Sequence, residues 1–171
     1  RYAKSSAVPS QLEKPATINW SVNLLAHNNR DEIIRAAKSV LKWGDDSIEV
    51  IVVDNGSTDD TINAIADLAV NDSRLRPIFL ADDLGEGAGR NAGFRASRGK
   101  HMMILGGHME INGDVFSPLA ATLADDRVGG TGSNGLVSKD LFTFEPAPAS
   151  ECDAIEFYLF AFRRDRLNQV G

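Results

Sequence analysis

The chain has 171 residues, 43% of them hydrophobic, and its length suits one globular domain with a substantial core. Its 18 lysines and arginines against 24 aspartates and glutamates give a formal net charge of −6, which excludes a general electrostatic attraction to nucleic acid. No apolar run approaches the roughly 18–20 residues that cross a bilayer, and the single cysteine, Cys152, excludes an internal disulfide and a thiolate zinc site.

The first 16 residues predict a polar tail or linker, because they are small and polar and are interrupted by Pro9 and Pro15. The sequence shows no leader of the charged-then-apolar type, so we expect a cytoplasmic location. The chain starts at Arg1 without an initiator methionine and stops at Gly171, where a helix is expected to be ending. We therefore expect it to be part of a longer protein.

From residue 17 onward, the hydrophobic pattern alternates between strand and helix. Trp20, Val22 and Leu24 repeat at period two and predict a first strand over residues 18–26, and the nearly unbroken β-branched run at 49–53 predicts a strand covered on both faces. Further strands are predicted at 75–80 and 101–105, and helices around 31–41, 61–69, 88–97 and 115–124, before another extended segment begins at Val128. This alternation predicts an α/β fold with a Rossmann-like, mainly parallel sheet and helices on both faces.

The informative residues of such a sheet follow its strands, since ligands bind beyond the carboxyl ends of the strands, near the switch point. Four polar or glycine-rich segments are in that position, at 27–30, 54–59, 82–93 and 106–110. They offer a hydrogen-bond acceptor in Asp54, glycines that permit close approach, and a cation at a predicted helix start, Arg90. A helix N-terminus with an arginine beside it favours an anion, most simply a phosphate group.

Two segments, EVIVVDNGSTDDT at 49–61 and LGEGAGRNAGFRASRGK at 84–100, resemble the family 2 glycosyltransferases of the GT-A fold. The closing DAIEFYLFAFRRDRLNQVG at 153–171 is similar to the family's acceptor-side strand and helix. The resemblance implies a nucleotide-sugar-binding α/β region at 17–135 and the truncated start of an acceptor-side region at 136–171. The implied reaction is hexosyl transfer, with inversion, from a UDP-, GDP- or TDP-type sugar nucleotide to a hydroxyl of a glycan, lipid or small molecule.

The resemblance also implies roles for individual residues. Asp54 would accept a hydrogen bond from the imide N–H of a uracil-like base. The turn Ala26-His27-Asn28 would flank that base and its ribose, with Ala-His in place of the family's usual Thr-Tyr. Arg90 would lie near the base and the diphosphate, and Asn91 would support its loop. Gly56 completes the implied nucleotide-binding set.

The metal motif of the family, Asp-x-Asp directly after the fourth strand, is degenerate in this chain, because Gly106 and His108 stand where the two aspartates belong. Mg²⁺ requires hard oxygen ligands, which glycine side chains cannot supply, whereas His108 could ligate Mn²⁺ or a later transition metal. We therefore expect weak or absent binding of Mg²⁺ or Mn²⁺, with His108 as a weak ligand. The general base is expected beyond Gly171, so a fragment of this kind can bind a nucleotide without turning it over.

Each of these residues also has a structural interpretation. Asp54 can simply open an Asx-turn, Arg90 can be a surface residue at a helix start, and His27 and His108 can each be structural. A buried strand or helix face is favoured over a cofactor stripe for the aromatic residues Phe157, Tyr158, Phe160 and Phe162. Cys152 is expected to be a small core residue.

Two other functions remain open on the sequence. Residues 87–92 fit the G-x-G-x-x-A dinucleotide fingerprint, but the next strand ends at Gly106 rather than at the acidic residue that the fingerprint needs. This departure disfavours a NAD-type site. The alternative to an active transferase is a non-catalytic sugar-nucleotide-binding relative, a sensor or scaffold that has lost its metal carboxylates.

Overall fold

The computed structural model describes residues 17–138, 140, 143–147, 151–152, 154–156 and 158–170. The tail or linker expected at residues 1–16 and the aromatic residue Phe157 lie outside the described residues. None of the helices within the described ranges is long and apolar enough to cross a membrane.

The strands and helices follow the predicted alternation. Strands β1 (Trp20–Ala26), β2 (Ile48–Asn55), β3 (Leu75–Leu80) and β4 (His101–Leu105) alternate with helices α1 (Arg30–Trp43), α2 (Thr61–Asn71), α3 (Glu86–Ala96) and α4 (Phe116–Leu123). They are followed by β5 (Gly130–Gly132), β6 (Gly135–Ser138), β7 (Phe144–Pro146), β8 (Ala154–Ile155), β9 (Leu159–Arg163) and α5 (Arg164–Val170). The predicted bounds of β3 and β4 are confirmed. Strand β2 extends past its β-branched run to Asn55, because Asp54 and Asn55 still pair with β3.

Six strands form the main sheet in the order β3-β2-β1-β4-β9-β5. The β1–β2, β2–β3 and β1–β4 pairs are parallel, whereas β9 is antiparallel to both of its neighbours. The predicted mainly parallel, Rossmann-like sheet is therefore confirmed. The chain winds outward from β1 to β3 and then places β4 on the other side of β1, so the winding reverses between β1 and β4. Such a switch point opens a crevice at the carboxyl ends of the strands.

Helices cover both faces of this sheet, as the sequence predicts. Successive side chains of a strand point to opposite faces, so the apolar strands place side chains that need cover on both sides. Val22 and Met103 lie in the hydrophobic core that residues of α1, α2 and α4 complete. Met102, on the other face, packs with Phe94 of α3 and Leu167 of α5. A second, smaller antiparallel sheet has the order β7-β6-β8.

The aromatic residues near the end of the chain divide between the core and the surface. Phe162 is buried, as expected for a buried strand face, and Phe160 is partly buried and packs against it, with ring centroids 5.3 Å apart. The same expectation is wrong for Tyr158, which is 41% exposed because it precedes β9 at the rim of the sheet. Cys152 is half-buried beside Gly135 of the small sheet and does not belong to the main core.

Glu49 is a buried carboxylate near the amino-terminal end of β2, only 1% exposed. It accepts hydrogen bonds from Ser21 Oγ at 2.7 Å, from the Arg98 backbone amide at 2.6 Å and from Arg76 Nη1 at 2.6 Å, and Arg98 Nη2 lies 2.8 Å away. Burial raises the pKa of Glu49, but these hydrogen bonds together outweigh burial and hold the pKa below its ordinary value of 4.5. The cluster joins β1, β2, β3 and the segment between α3 and β4, at the edge of the sheet opposite the switch point.

Candidate functional site

A cavity of about 560 Å³ opens at the carboxyl edge of the sheet, over the switch point between β1 and β4. Its walls come from the exit of β1, the start of α3, the exit of β4 and the segment that precedes β9. The lining residues are Leu25, His27, Asn29, Glu86, Arg90, Gly106, Gly107, His108, Glu156 and Tyr158. Three of the four segments that the sequence analysis placed at this edge therefore share one cavity.

The turn after β1 holds His27 in a defined tautomer. His27 Nδ1 lies 2.9 Å from the Asn55 carbonyl oxygen, and Asn28 Nδ2 lies 3.3 Å from His27 Nε2. A carbonyl oxygen only accepts and an amide NH₂ only donates, so Nδ1 carries the proton and Nε2 accepts. Asn28 has a φ of 51°, in the left-handed region that asparagine tolerates. The turn therefore presents an oriented imidazole to the cavity.

Asp54 lies at the end of β2, beside Ala26 of β1, and its side chain is fully buried. Its Oδ2 accepts a hydrogen bond from the Ser57 amide at 3.0 Å, and the Ser57 hydroxyl in turn accepts one from the Asn28 amide at 2.9 Å. Asp54 thus performs the structural role of a turn former. Its other oxygen, Oδ1, is buried and has no hydrogen-bond partner among the described residues. Neither Asp54 nor the fully buried Ala26 lines the cavity.

Gly56 marks a close approach between two loops. Its φ is 71°, and a Cβ at this position would lie 2.5 Å from backbone atoms of Asp82 and Asp83. Asn55, which the sequence analysis did not select, fixes the same contact, because its side chain donates to Asp83 Oδ1 and accepts from the Leu84 amide at 3.1 Å. An asparagine at the buried end of a β-strand needs hydrogen-bond partners, and this requirement could have identified Asn55 from the sequence.

Helix α3 places Arg90 on the cavity wall. Gly89 allows the helix to approach β1, since a Cβ there would lie 2.6 Å from Leu25 Cδ1. The Arg90 side chain is only 14% exposed, and its Nε and Nη2 donate to Glu86 Oε1 at 3.0 and 2.8 Å. Glu86 was not selected from the sequence, although its i,i+4 spacing from Arg90 is the usual spacing for such a pair. Asn91, the neighbour of Arg90, is exposed and does not line the cavity.

The exit of β4 carries a tight turn instead of side-chain carboxylates. The Met109 amide donates to the Gly106 carbonyl at 2.9 Å, and a Cβ on Gly107 would lie 2.9 Å from the Leu25 carbonyl oxygen. His108 is exposed on this turn and packs edge-on against Tyr158, with ring centroids 6.2 Å apart. Glu110 is paired with Arg35 at 3.1 Å and does not line the cavity.

The described part of the chain contains no group of three or more His, Cys, Asp or Glu side chains placed to hold a metal ion. Each carboxylate of the cavity already has a partner: Glu86 is bound by Arg90, and Glu156 accepts a hydrogen bond from Asn134 Nδ2 at 3.0 Å. His108 therefore offers a single imidazole at the exit of β4. The cavity as a whole presents one guanidinium, two imidazoles and two carboxylates, a lining that suits a polar and charged ligand.

A sequence profile of the family described as "Glycosyl transferase family 2" matches residues 21–169. The succinoglycan biosynthesis protein ExoO of Rhizobium meliloti (strain 1021) is 37% identical over 97 residues, which are 57% of this chain and 27% of that protein. The putative teichuronic acid biosynthesis glycosyltransferase TuaG of Bacillus subtilis (strain 168) is 30% identical over 91 residues, which are 51% of this chain and 36% of that protein. The chain thus spans about a quarter to a third of the length of these curated relatives.

Two solved structures share the fold. The mannosyltransferase PcManGT from Pyrobaculum calidifontis, in complex with GDP-Man and Mn²⁺, aligns with a TM-score of 0.72 at 20% identity, over 91% of this chain and 47% of that chain. GalNAc-T7, with UDP, GalNAc and Mn²⁺, aligns with a TM-score of 0.77 at 16% identity, over 92% of this chain and 37% of that chain. These likenesses confirm the GT-A fold.

Proposed function

This chain belongs to glycosyl transferase family 2, and from that premise we propose that it supplies the donor-binding part of a cytoplasmic hexosyltransferase. The reaction is transfer of a sugar, with inversion, from a nucleoside diphosphate to a hydroxyl of a glycan, lipid or small molecule. The observation that carries the proposal is the cavity at the switch point between β1 and β4, with Arg90 and His27 on its walls. Residues 17–135 form the donor side in this proposal, and 136–171 begin the acceptor side.

Asp54 recognises the base of the donor in this proposal. A buried carboxylate oxygen without a partner is unfavourable, and the imide N–H of a uracil-like base would give Asp54 Oδ1 the hydrogen bond it lacks. Ala26 lies beside Asp54 across the β1–β2 pair, and the Asn28 amide donates to the hydroxyl of Ser57, whose own amide donates to Asp54. In this proposal the backbone of Ala26 and the side chains of His27 and Asn28 flank the base. Since Asp54 is buried and not on the cavity surface, base binding requires the residues that cover it to move.

The diphosphate lies against the start of α3. Arg90 forms charge-assisted hydrogen bonds with its oxygens, and the N-terminus of the helix adds a favourable field. A Cβ on Gly85 or Gly87 would meet nothing within 4 Å, so there is room beside this first turn. Gly56 holds the adjoining loops together, and Asn91 supports the same turn.

A divalent cation does not fit the donor set that the described residues form at this site. Mg²⁺ and Mn²⁺ prefer several oxygen ligands, whereas the described residues bring no three acidic or histidine side chains together here and His108 supplies one nitrogen. No step of the proposed reaction therefore runs through a metal. Arg90 and backbone amides stabilise the leaving diphosphate, and catalysis relies on the orientation of donor and acceptor.

A non-catalytic sugar-nucleotide sensor or scaffold is the second candidate function. The observation that favours it is the turn at the exit of β4, where Gly106 and His108 provide no carboxylate. Both candidates bind a sugar nucleotide, but only the transferase turns it over. Incubation with labelled UDP- and GDP-sugars distinguishes them, since nucleotide binding without hydrolysis or transfer of the sugar favours the sensor.

Calorimetric titration with UDP and GDP tests the diphosphate site. Arg90→Ala should weaken the binding of either nucleotide by about 10- to 100-fold, the cost of a lost hydrogen bond to a charged group. The matched control is Arg95→Ala, which removes an exposed arginine from the same helix outside the cavity. Equal effects of the two substitutions would contradict the assignment of Arg90. The affinity for UDP and for GDP should be the same in the presence of Mn²⁺ as in the presence of a chelator.

Asp54→Asn tests base recognition. Asparagine keeps the shape of the side chain, but only one of its two terminal atoms can accept a hydrogen bond, so it cannot serve both the Ser57 amide and the base. UDP binding should therefore fall, while the melting temperature stays near that of the unmodified chain. Inorganic pyrophosphate, which has no base, should bind equally to both proteins. Unchanged UDP binding by Asp54→Asn would refute the role of Asp54.

A further inference from the structure

The cavity has two walls of different chemistry. Arg90 and His27 come from α3 and the exit of β1, whereas His108, Glu156 and Tyr158 come from the exit of β4 and the segment before β9. We call these last three residues the Tyr158 wall. Strands β4 and β9 are antiparallel and pair Leu105 with Leu159, so the end of one strand and the beginning of the other meet at the same edge. Distant parts of the chain thus contribute side chains to the cavity that Arg90 also lines.

Tyr158 is held in place by its backbone and leaves its ring accessible. Its carbonyl oxygen accepts a hydrogen bond from the Gly106 amide at 3.0 Å. The ring stands nearly perpendicular to that of His108, at an interplanar angle of 88°, and the residue is 41% exposed. An exposed aromatic ring with a polar tip, fixed at the mouth of a cavity, suits a ligand that has both apolar C–H groups and hydroxyls.

Glu156 places an oriented carboxylate beside this ring. Its backbone amide donates to the Asn134 carbonyl at 3.0 Å, and its Oε2 accepts from Asn134 Nδ2 at 3.0 Å. Two contacts with one residue fix both the backbone and the side chain. Within the described ranges, Oε1 has no hydrogen bond and is therefore the oxygen that can accept from a ligand. An ionised carboxylate accepts strongly from hydroxyl groups.

We propose that the Tyr158 wall is the sugar subsite of the cavity, with the hexose packed on the Tyr158 ring and a ring hydroxyl donating to Glu156. The inference rests on the proposed function, since it needs the diphosphate on the Arg90 side. It assigns selection of the sugar to the segment before β9, while the nucleotide is bound by the exits of β1 and β2. The ligand class is a nucleoside diphosphate hexose.

The experiment compares nucleotides with and without the sugar. Dissociation constants are measured for UDP, UDP-glucose, GDP and GDP-mannose. The dissociation constant of each sugar nucleotide, divided by that of the corresponding free nucleotide, gives the contribution of the sugar to binding. Glu156→Gln should worsen this ratio by about tenfold, as expected for one hydrogen bond to a charged acceptor. Tyr158→Ala should also worsen it, whereas Tyr158→Phe, which keeps the ring, should stay close to the unmodified chain. UDP and GDP alone should bind all variants equally.

The matched control is Glu145→Gln, an exposed glutamate of β7 outside the cavity, which should leave every ratio unchanged. Ratios that do not change in Glu156→Gln and Tyr158→Ala, with nucleotide binding retained, overturn the sugar subsite and leave the proposed function standing. An equal loss of nucleotide and sugar nucleotide also overturns it, because it indicates a structural role. An unmodified chain that binds none of the four probes overturns both proposals.

Discussion

Replacing Glu49 with glutamine should destabilise the domain and make its stability less sensitive to acid. Glutamine has the same shape but no charge, so Arg76 and Arg98 would face a neutral group at the amino-terminal end of β2. Removing one partner of a buried ion pair costs about 3–5 kcal/mol. The two arginine side chains are 36% and 58% exposed, so water compensates part of this loss. We expect a loss of about 2–3 kcal/mol from a total of about 5–15 kcal/mol.

Urea denaturation followed by circular dichroism measures this loss. Because the pKa of Glu49 is lowered in the folded chain, its stabilising contribution is present above its ordinary pKa of 4.5 and is lost as the pH falls below that value. The difference in unfolding free energy between the unmodified chain and Glu49→Gln should therefore have its largest value at pH 7 and should decrease below pH 4.5.

Glu110→Gln is the matched control, since Glu110 also pairs with an arginine but is 53% exposed. It should leave the unfolding free energy unchanged within error, as exposed pairs contribute little. Equal stabilities of Glu49→Gln and the unmodified chain at pH 7 would refute the reasoning. So would a difference that stays constant down to pH 3.5, because the effect would then not depend on the ionised carboxylate.

Two further predictions concern the loops around the cavity. Gly56→Ala should lower the unfolding free energy by more than about 1 kcal/mol, because the φ of 71° and the backbone of residues 82–83 leave no place for a Cβ. Gly87→Ala, in open space within α3, should preserve or raise the unfolding free energy. Thermal melts of the two variants check this, and equal melting temperatures would contradict it. Glu86→Gln should tighten UDP binding by about two- to fivefold, since Glu86 competes with the diphosphate for Arg90 Nε and Nη2. Calorimetry measures the change, and an unchanged or weaker affinity would show that Glu86 does not compete.

The fold was predictable because its signals are local. Period-two and β-branched runs predicted β1 and β2, and the bounds of β3 and β4 agree with the structure. The carboxyl ends of parallel strands meet at one edge, so the meeting of His27, Arg90 and His108 followed from the order of strands and helices. No long-range pairing had to be known for this result.

The remaining part of the site depends on tertiary structure. Glu156 and Tyr158 reach the cavity only because β9 inserts antiparallel between β4 and β5, and no local pattern specifies that insertion. The depth of Asp54 was not predictable either, since burial depends on how the turns after β1 and β2 pack together. Glu86 could have been found from its spacing to Arg90, whereas its contact with the cavity could not.

The insertion of β9 also sets the order in which the cavity is completed during synthesis. The four parallel strands lie within residues 20–105, and a ribosome releases all of them before residues 159–163 emerge. Domains generally fold as units, and residues 20–105 cannot complete this sheet alone, because the edge of β4 that pairs with β9 stays open until residues 159–163 emerge. An open strand edge is a template for pairing with another chain, so docking of β9 both closes that edge and brings Tyr158 to the cavity.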